Sequence, residues 1–366
     1  MRKYQELDLG NENKLEYSSY VSCTWKMKYT ELEIYLGKDT SSKIPYATTN
    51  LQTDYSNFES IAFCVWAKYP ECKITLKYES IKWYENKQAL FPLDYEKCEM
   101  LFENVPKMDS IRARMQHYMR FLYRVMKMQN LYGEHFRVDE LNFEEIEVFT
   151  EEFEKRIINH QFVFTEPDGK SSISPSISLN ENHLEKWFVY FSGTYAMEEK
   201  CPELILESSG NIKLYDQFPC GLFAGSEKNE KNRIFNKGAF DLWGVDKENN
   251  ICLYELKKAS NKRLGIISEL FFYSCLMSDF KKIAPEKGTN LRGFSNFLQA
   301  NNKIKAFFLI PEFHIFIEKN LAGVLAAMNA RSDNVEYGVI RFNQEKIVGK
   351  DKEKFINKMK ELYTNI

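Results

Sequence analysis

The sequence lacks the features by which several large classes of protein are recognised. No run of about 18 apolar residues occurs, so we expect no hydrophobic helix that spans a membrane. The first residues, MRKYQELDLGNENK, contain no apolar segment, and we therefore expect no secretory signal. The phosphate-binding motif GxxxxGKS/T, the dinucleotide-binding motif GxGxxG, the zinc-protease motif HExxH and the hydrolase motif GxSxG are all absent. These absences argue against an ATPase, a dinucleotide-dependent enzyme, a zinc protease and a serine hydrolase.

Cysteine and histidine do not occur in the clusters that hold zinc. The 8 cysteines include no CxxC pair, and the 5 histidines are scattered along the chain. Three of the cysteines lie inside the apolar runs AFCVW, NICLY and YSCLM. We therefore expect reduced, buried thiols in a cytoplasmic protein, and no structural zinc site.

The composition is that of a globular protein with an uneven charge distribution. The 366 residues are 44% hydrophobic and 15% aromatic, which suffices for a packed core, and the length favours two domains. The net charge is -2, but residues 228–305 carry 15 basic and 8 acidic side chains. Such a local basic excess suits a polyanion-binding surface, and it is also what an ordinary lysine-rich solvated surface looks like.

The segment FTEPDGKSSISPSISLN, rich in serine, proline and glycine, predicts a linker at 166–177. We expect residues 1–165 to form an α+β domain whose role is sensing, regulation or oligomerisation. Its predicted strands are Tyr20–Trp25, Leu32–Leu36, Ile61–Ala67 and Lys73–Tyr84, and its predicted helices cover 108–130 and Asp139–Asn159. The arginines at 112, 114, 120 and 124 are interpreted as a solvated helix face in preference to a nucleic-acid contact.

Residues 178–366 follow a different order of elements. The predicted helices begin near Glu181 and cover Arg263–Phe280, Glu318–Ala330 and Asp351–Tyr363. The predicted strands are Ile212–Phe218, Gly238–Val245, Ile251–Lys257, 305–310 and Val335–Phe342. Hairpin strands followed by a crossover helix and another strand imply an α/β domain with a mixed central sheet flanked by helices.

Three charged residues stand inside the apolar strands of the predicted hairpin. Side chains alternate along a strand, so Glu255 and Lys257 share one face, and Asp241 on the partner strand can face the same side. Charged groups in apolar strands are costly to bury. Two carboxylates can hold a hard cation such as Mg²⁺, and a neighbouring lysine can orient an attacking water. The alternative is a surface hairpin with an ordinary Glu–Lys pair.

These residues resemble the PD-(D/E)xK superfamily of nucleases, which have the restriction-endonuclease-like fold. Asp241 is followed after thirteen residues by Glu255-Leu256-Lys257, and the resemblance covers roughly residues 178–345. Ala239-Phe240 precede the aspartate where proline is often found, and this position is loose in the superfamily. The resemblance implies a nuclease that depends on Mg²⁺ or Mn²⁺, with Asp241 and Glu255 as metal ligands and Lys257 as the residue that positions and activates the water.

Further positions extend this resemblance. Glu269 and Tyr273 have the spacing of the QxxxY motif of the RecB-like branch, with Glu in place of Gln, and are expected to orient the lysine or the phosphate. A helix before the strands often lends a glutamate to the metal site. Glu181 lies nearer than Glu185 to the apolar stripe of that helix and is preferred, with Glu185 as its rival. Gln217-Phe-Pro resembles the strand that leads into the metal strand in several relatives.

The resemblance also implies a substrate and a setting. Lys258, Lys262 and Arg263 follow the metal strand and are expected to contact the nucleic-acid backbone, with DNA favoured over RNA. The implied setting is restriction, antiviral (phage) defence or DNA repair, in which the chain can act as a homo-oligomer or with partner proteins. One alternative is a catalytically silent nuclease fold that binds nucleic acid or scaffolds an assembly. Another is that the aromatic first half, by binding a peptide, a modified base or another protomer, is the main functional module.

Overall fold

The structure is a computed structural model, and it describes residues 4–10, 13–40, 43–51, 55–81, 108–167, 176–207, 212–235, 238–284, 291–332 and 334–364. The strands are β1 (Tyr4–Asp8), β2 (Lys14–Ser18), β3 (Val21–Met27), β4 (Glu31–Leu36), β5 (Lys73–Tyr78), β6 (Phe136–Val138), β7 (Phe162–Phe164), β8 (Tyr215–Pro219), β9 (Leu222–Ala224), β10 (Ala239–Val245), β11 (Ile251–Leu256), β12 (Ile304–Ile310) and β13 (Val335–Arg341).

The α-helices of the described residues differ widely in length. They are α1 (Phe58–Trp66), α2 (Met108–Tyr132), α3 (Glu140–Ile158), α4 (Glu181–Phe191), α5 (Tyr195–Lys200), α6 (Pro202–Glu207), α7 (Ile266–Ile283), α8 (Phe294–Gln299), α9 (Ile315–Asn329), α10 (Gln344–Val348) and α11 (Lys352–Thr364). Two helices begin with a side-chain cap close to the residue at which the sequence predicts their start. Asp139 accepts a hydrogen bond from the Leu141 N–H, and Asn180 accepts one from the His183 N–H. None of these helices is long and apolar enough to cross a membrane.

A five-stranded mixed sheet carries the predicted hairpin. Its strand order is β13-β12-β11-β10-β8, with β11, β12 and β13 parallel and β10 antiparallel to both of its neighbours. Every residue of β11 and β12 is buried, because helices cover both faces of the sheet. The helix α7 packs on one face, whereas α4 and α11 belong to the apolar cluster on the other face. The mixed α/β organisation expected from the sequence is therefore confirmed at this level.

A second, four-stranded sheet has the order β3-β4-β5-β6, with β4, β5 and β6 parallel. The hairpin of β1 and β2 and the pair of β7 and β9 complete the strand pairing of the described residues. The β7–β9 pair joins a strand before the predicted linker to one after it. Most of that linker, residues 168–175, lies outside the described residues.

One apolar core extends through both parts of the chain. The same cluster contains residues of α1 and α2 and residues of α7 and β11. The rings of Phe63 and Phe271 lie 5.6 Å apart, and those of Tyr123 and Phe272 lie 5.8 Å apart. The Tyr132 hydroxyl donates a hydrogen bond to the Met328 carbonyl. The first half is therefore packed against the same helix that covers the five-stranded sheet.

Three predicted elements are wrong in type or extent. The run Ile61–Ala67, predicted as a strand, lies mostly in α1, a helix of nine residues that are all buried. A short apolar run has the same appearance in a buried strand and in a buried helix. The spacing of the apolar residues predicts that the stripe of the helix from Glu181 continues through Phe191 to Tyr195. The helix instead ends at Phe191, so Tyr195 belongs to the next helix and is 75% exposed. The strand predicted to reach Tyr84 ends at Tyr78, and residues 82–84 lie outside the described residues.

The prediction of a solvated arginine face on α2 is also wrong for two of its four members. Arg120 and Arg124 are buried, because side chains of α2 pack against α1, α3 and α7. The Arg124 Nη1 lies 2.9 Å from Oε2 of Glu59 on α1. The guanidinium of Arg120 lies 4.8 Å from the ring centroid of Phe272. Arg120 therefore reaches the second half of the chain, whereas Arg124 forms its ion pair within the first half.

The cysteines of the three apolar runs are buried, as the sequence predicts. Cys64, Cys252 and Cys275, which stand in the three apolar runs, are all buried. Among the described residues all seven cysteines are free.

Candidate active site

The hairpin of β10 and β11 brings its two acidic residues together. The register pairs Leu242 with Tyr254, so Asp241 and Glu255 are the next pair along and face the same side of the sheet. Asp241 Oδ2 accepts a hydrogen bond of 2.7 Å from the backbone N–H of Leu256. This bond fixes the carboxylate at the end of the hairpin, next to the point where β11 ends.

Lys257 places its ammonium group among three carboxylates. Its Nζ lies 2.5 Å from Glu255 Oε1, 3.0 Å from Glu269 Oε2 and 4.0 Å from Asp241 Oδ2. Lys257 and Glu255 are both buried. Two of these carboxylates come from the hairpin and the third from α7, so the site is built where the helix crosses the end of the strands.

The helix α7 contributes Glu269 and Tyr273 from one face, as the spacing of four residues predicts. A Cβ atom added at Gly238 would lie 3.5 Å from the Tyr273 hydroxyl and 3.0 Å from Nη2 of Arg120. Tyr273 is therefore close to the beginning of β10, and the buried guanidinium of Arg120 is beside it. The sequence gives no signal for Arg120, because its approach to the site depends on how α2 packs against α7.

The helix α4 carries both candidate glutamates, and each has different hydrogen-bond partners. Glu181 Oε1 accepts hydrogen bonds from the Lys258 N–H and the Asn261 side chain, at 3.4 Å and 2.9 Å. Glu185 is buried, and its Oε2 accepts a hydrogen bond of 2.7 Å from the side chain of Gln217. Gln217 has a φ of 50° within β8, a conformation that non-glycine residues rarely adopt. The structure thus brings Glu181, Glu185 and Gln217 into the same neighbourhood.

Three carboxyl groups of the site, those of Asp241, Glu185 and Glu255, have raised pKa values. Burial raises the pKa of Asp241 to about 7, against the opposing charge of Lys257. Burial and the charge of Asp241 raise the pKa of Glu185 to about 8. Burial, followed by repulsion from Asp241, raises the pKa of Glu255 well above its usual value. Several carboxyl groups thus share a small buried volume with the single ammonium of Lys257, and perturbed pKa values of this kind are typical of functional sites.

One carboxylate oxygen of this group has no hydrogen-bond partner. Glu255 Oε2 is buried and unpaired, although buried polar atoms are almost always hydrogen-bonded. An oxygen-preferring cation would satisfy this atom and reduce the repulsion, so the donor chemistry fits Mg²⁺ or Mn²⁺. The described residues contain no group of three His, Cys, Asp or Glu side chains arranged to hold a metal ion.

The segment after β11 lines the entrance to these residues. A cavity of about 160 Å³ is bordered by Glu181, Lys257, Arg263 and Glu269. A wider furrow of about 580 Å³ is bordered by the three predicted substrate-binding side chains Lys258, Lys262 and Arg263. Lys262 also pairs with Glu312, and both side chains are exposed. The basic residues therefore lie next to the carboxylate group.

No protein-family model, curated protein or solved structure matches this chain. The assignment of a function therefore depends on the chemistry of the site and on the resemblance of its short motifs.

Proposed function

We propose that the chain is a metal-dependent nuclease that hydrolyses phosphodiester bonds, in DNA in preference to RNA, with Mg²⁺ or Mn²⁺ as cofactor. The observation that carries the proposal is the group of three carboxylates around the Lys257 ammonium, with an unpaired buried oxygen on Glu255. Burying charged groups of this kind costs free energy, and a hairpin with a purely structural role does not require them.

In this proposal Asp241 and Glu255 hold the cation, and Glu181 or Glu185 completes its surroundings directly or through water. Mg²⁺ commonly keeps several waters and uses one or two carboxylates together with substrate phosphate, so a cage of three protein ligands is not required. A divalent cation bound there would neutralise the scissile phosphate and lower the pKa of a bound water.

Lys257 acts as a cation in this scheme. Although burial opposes it, the surrounding carboxylates, Glu255 first, raise the pKa of Lys257 well above its usual value. It therefore donates hydrogen bonds that orient the attacking water and offsets charge on the phosphate. Glu269 holds the ammonium in position, and Tyr273 supports the same face of α7. Hydrolysis adds the hydroxyl of water to phosphorus, breaks one P–O ester bond and leaves the second hydrogen on the departing oxygen.

The remaining assignments follow from the resemblance and the surface charge. Lys258, Lys262 and Arg263 contact the phosphate backbone, because cationic side chains beside a phosphodiesterase site neutralise the neighbouring phosphates. We assign residues 178–366 a restriction-endonuclease-like layout and the whole chain a cytoplasmic role in restriction or phage defence. The first half then senses a trigger, regulates the site or mediates oligomerisation.

Asp241→Asn is the sharpest test of the activity. Asparagine keeps an acceptor for the Leu256 N–H and removes one charge from a crowded group, so the variant should fold. We expect cleavage of plasmid, single-stranded DNA and RNA substrates in Mg²⁺ or Mn²⁺ to fall at least about 100-fold relative to wild type. EDTA should abolish wild-type cleavage.

Lys257→Ala and Glu255→Gln should lose activity in the same assay, and the exposed Lys319→Ala serves as the matched control. Thermal melting of each variant separates lost chemistry from lost folding. Equal cleavage by wild type, Asp241→Asn and Glu255→Gln would refute the proposal. Salt-sensitive nucleic-acid binding that needs no divalent metal, without any cleavage, would instead support a silent nuclease fold.

A further inference from the structure

A second cavity lies beside the candidate active site and is not used by the proposed hydrolysis. Its volume is about 310 Å³, at the lower end of the range for small-molecule sites. The N-terminal hairpin of β1 and β2 forms one wall, through Tyr4, Tyr17 and Ser18. Lys262, Arg263 and Leu264, which follow the metal strand, form another wall.

The lining of this cavity combines flat rings with hydrogen-bonding groups. Tyr17 is buried, whereas Tyr4 is half exposed, and the aliphatic side chains of Val21 and Ile61 also border the cavity. Aromatic side chains bind nucleobases by stacking, because every base has a π-face. The cavity therefore offers the stacking surface and the size that a single base requires.

The polar groups of the cavity match the edges of a base. His314 Nδ1 accepts a hydrogen bond from the Phe316 N–H, so in the neutral ring Nε2 carries the proton and is a donor. Glu16 contributes a carboxylate, which can accept from an exocyclic amino group. A donor and an acceptor placed in a partly apolar cavity are the usual means of orienting a bound ring.

Charge and continuity connect this cavity to the carboxylate group. Arg263 borders the 310 Å³ cavity, the furrow and the 160 Å³ cavity beside Lys257. Tyr4 and Lys262 border both the 310 Å³ cavity and the furrow. A nucleic-acid strand whose phosphates contact these basic side chains can therefore place a neighbouring base in the 310 Å³ cavity.

We propose that this cavity, which we name the hairpin pocket (Tyr4, Tyr17, Ser18, Arg263, His314), takes one unpaired base of the substrate strand next to the scissile phosphate. The inference rests on the proposed nuclease function and narrows its substrate. A base inside a duplex is stacked and paired, so only a single strand, a strand end or a flipped nucleotide can fill the pocket.

The test is a binding experiment on the full chain in EDTA, so that cleavage plays no part. Fluorescence anisotropy measures the affinity for a labelled single-stranded oligonucleotide and for the matching blunt duplex. Tyr4→Ala removes a stacking surface, and Ser18→Phe fills the pocket from the end of β2. We expect each variant to lose at least about fivefold in affinity for the single strand. The affinity for the duplex should change by less than about twofold.

Tyr195→Ala is the matched control, because Tyr195 is an exposed tyrosine on α5. An abasic nucleotide, moved along the oligonucleotide, should weaken wild-type binding at one position, and Ser18→Phe should abolish that positional effect. Unchanged single-strand affinity in folded variants, or equal losses for single strand and duplex, would overturn the pocket. The outcome of this binding experiment is independent of catalysis. An inactive protein can still show the positional effect of the abasic nucleotide, and an active protein can lack it.

Discussion

His117 on α2 illustrates how burial acts on a single titratable residue. Its ring is mostly buried, and its Nδ1 has no hydrogen-bond partner. Burial, followed by the positive charges of Arg120, Arg114 and Arg124, lowers the pKa of His117 to about 4. The folded protein therefore holds His117 neutral under conditions in which the unfolded chain protonates it.

This shift predicts a loss of stability in mild acid. The folded-state pKa lies below the usual value of 6.5, so the unfolded chain binds more protons as pH falls from about 6.5 to about 4. The stabilisation is complete above about pH 6.5 and is lost through that window. His117→Gln does not titrate and should lose less stability, by on the order of 1–3 kcal/mol, between about pH 7.5 and about pH 4.5.

Urea denaturation at the two pH values measures this difference. The matched control is His160→Gln, because His160 is exposed after the end of α3. If wild type and His117→Gln lose the same free energy of unfolding, the histidine is not responsible for the acid sensitivity.

At the residue scale, sequence reasoning identified the three charged residues of the β10–β11 hairpin, but it did not predict the burial of the two arginines on α2. The alternation of side chains along a strand has a fixed period, so Asp241, Glu255 and Lys257 could be assigned to one face from local pattern alone. The burial of Arg120 and Arg124 depends on α1 and α7, which are distant in sequence. No local pattern distinguishes a solvated arginine from one that is paired across an interface.

At the scale of elements, α1 and α2 are joined by a buried ion pair. Arg124 and Glu59 are both buried, and Arg124 Nη2 also contacts the Ser56 hydroxyl at 3.0 Å. Breaking such a pair by removing one partner leaves an uncompensated charge. We expect Arg124→Met to lower the free energy of unfolding by about 3–5 kcal/mol.

A double-mutant cycle with Glu59→Gln checks the origin of this loss. Glutamine removes the charge and can still accept the hydrogen bond from Ser268. The double variant should therefore be more stable than Arg124→Met alone, as measured by urea denaturation. Additive losses in the two single variants would show that the two side chains do not interact.

The same elements mark where sequence reasoning reaches its limit. The hairpin and the helices with clear caps or amphipathic patterns, such as α3 with Asp139, were predictable because their signals are local. The wholly buried α1 was predicted as a strand, since an apolar run without polar positions has no visible period. The parallel pairing of β4, β5 and β6 joins segments far apart in the sequence, and local patterns do not encode it.

At the scale of the whole molecule, the shared core determines how the chain unfolds. Aromatic pairs such as Phe63–Phe271 cross between the two halves, and each contributes about 0.5–1.5 kcal/mol beyond its buried area. A fragment of residues 178–366 would expose the face of α7 that α1 and α2 cover. We expect this fragment to melt without a cooperative transition, whereas the full chain melts cooperatively.

Circular dichroism and calorimetry of the fragment and the full chain measure this difference. Adding residues 1–165 as a separate chain should restore cooperative melting if the interface is intact. A fragment that melts sharply by itself, at the temperature of the full chain, would contradict the expectation.

The hydroxyl of Ser60 on α1 donates to the Leu264 carbonyl at 2.8 Å and lies 2.9 Å from the hydroxyl of Ser268. Ser268 immediately precedes Glu269, which holds the ammonium of Lys257. A bulkier side chain at position 60 would thus need a compensating change at position 268. Because of this contact, the two halves cannot diverge independently in evolution. Replacing one half by the corresponding half of a distant homologue would disturb the geometry of the half that remains.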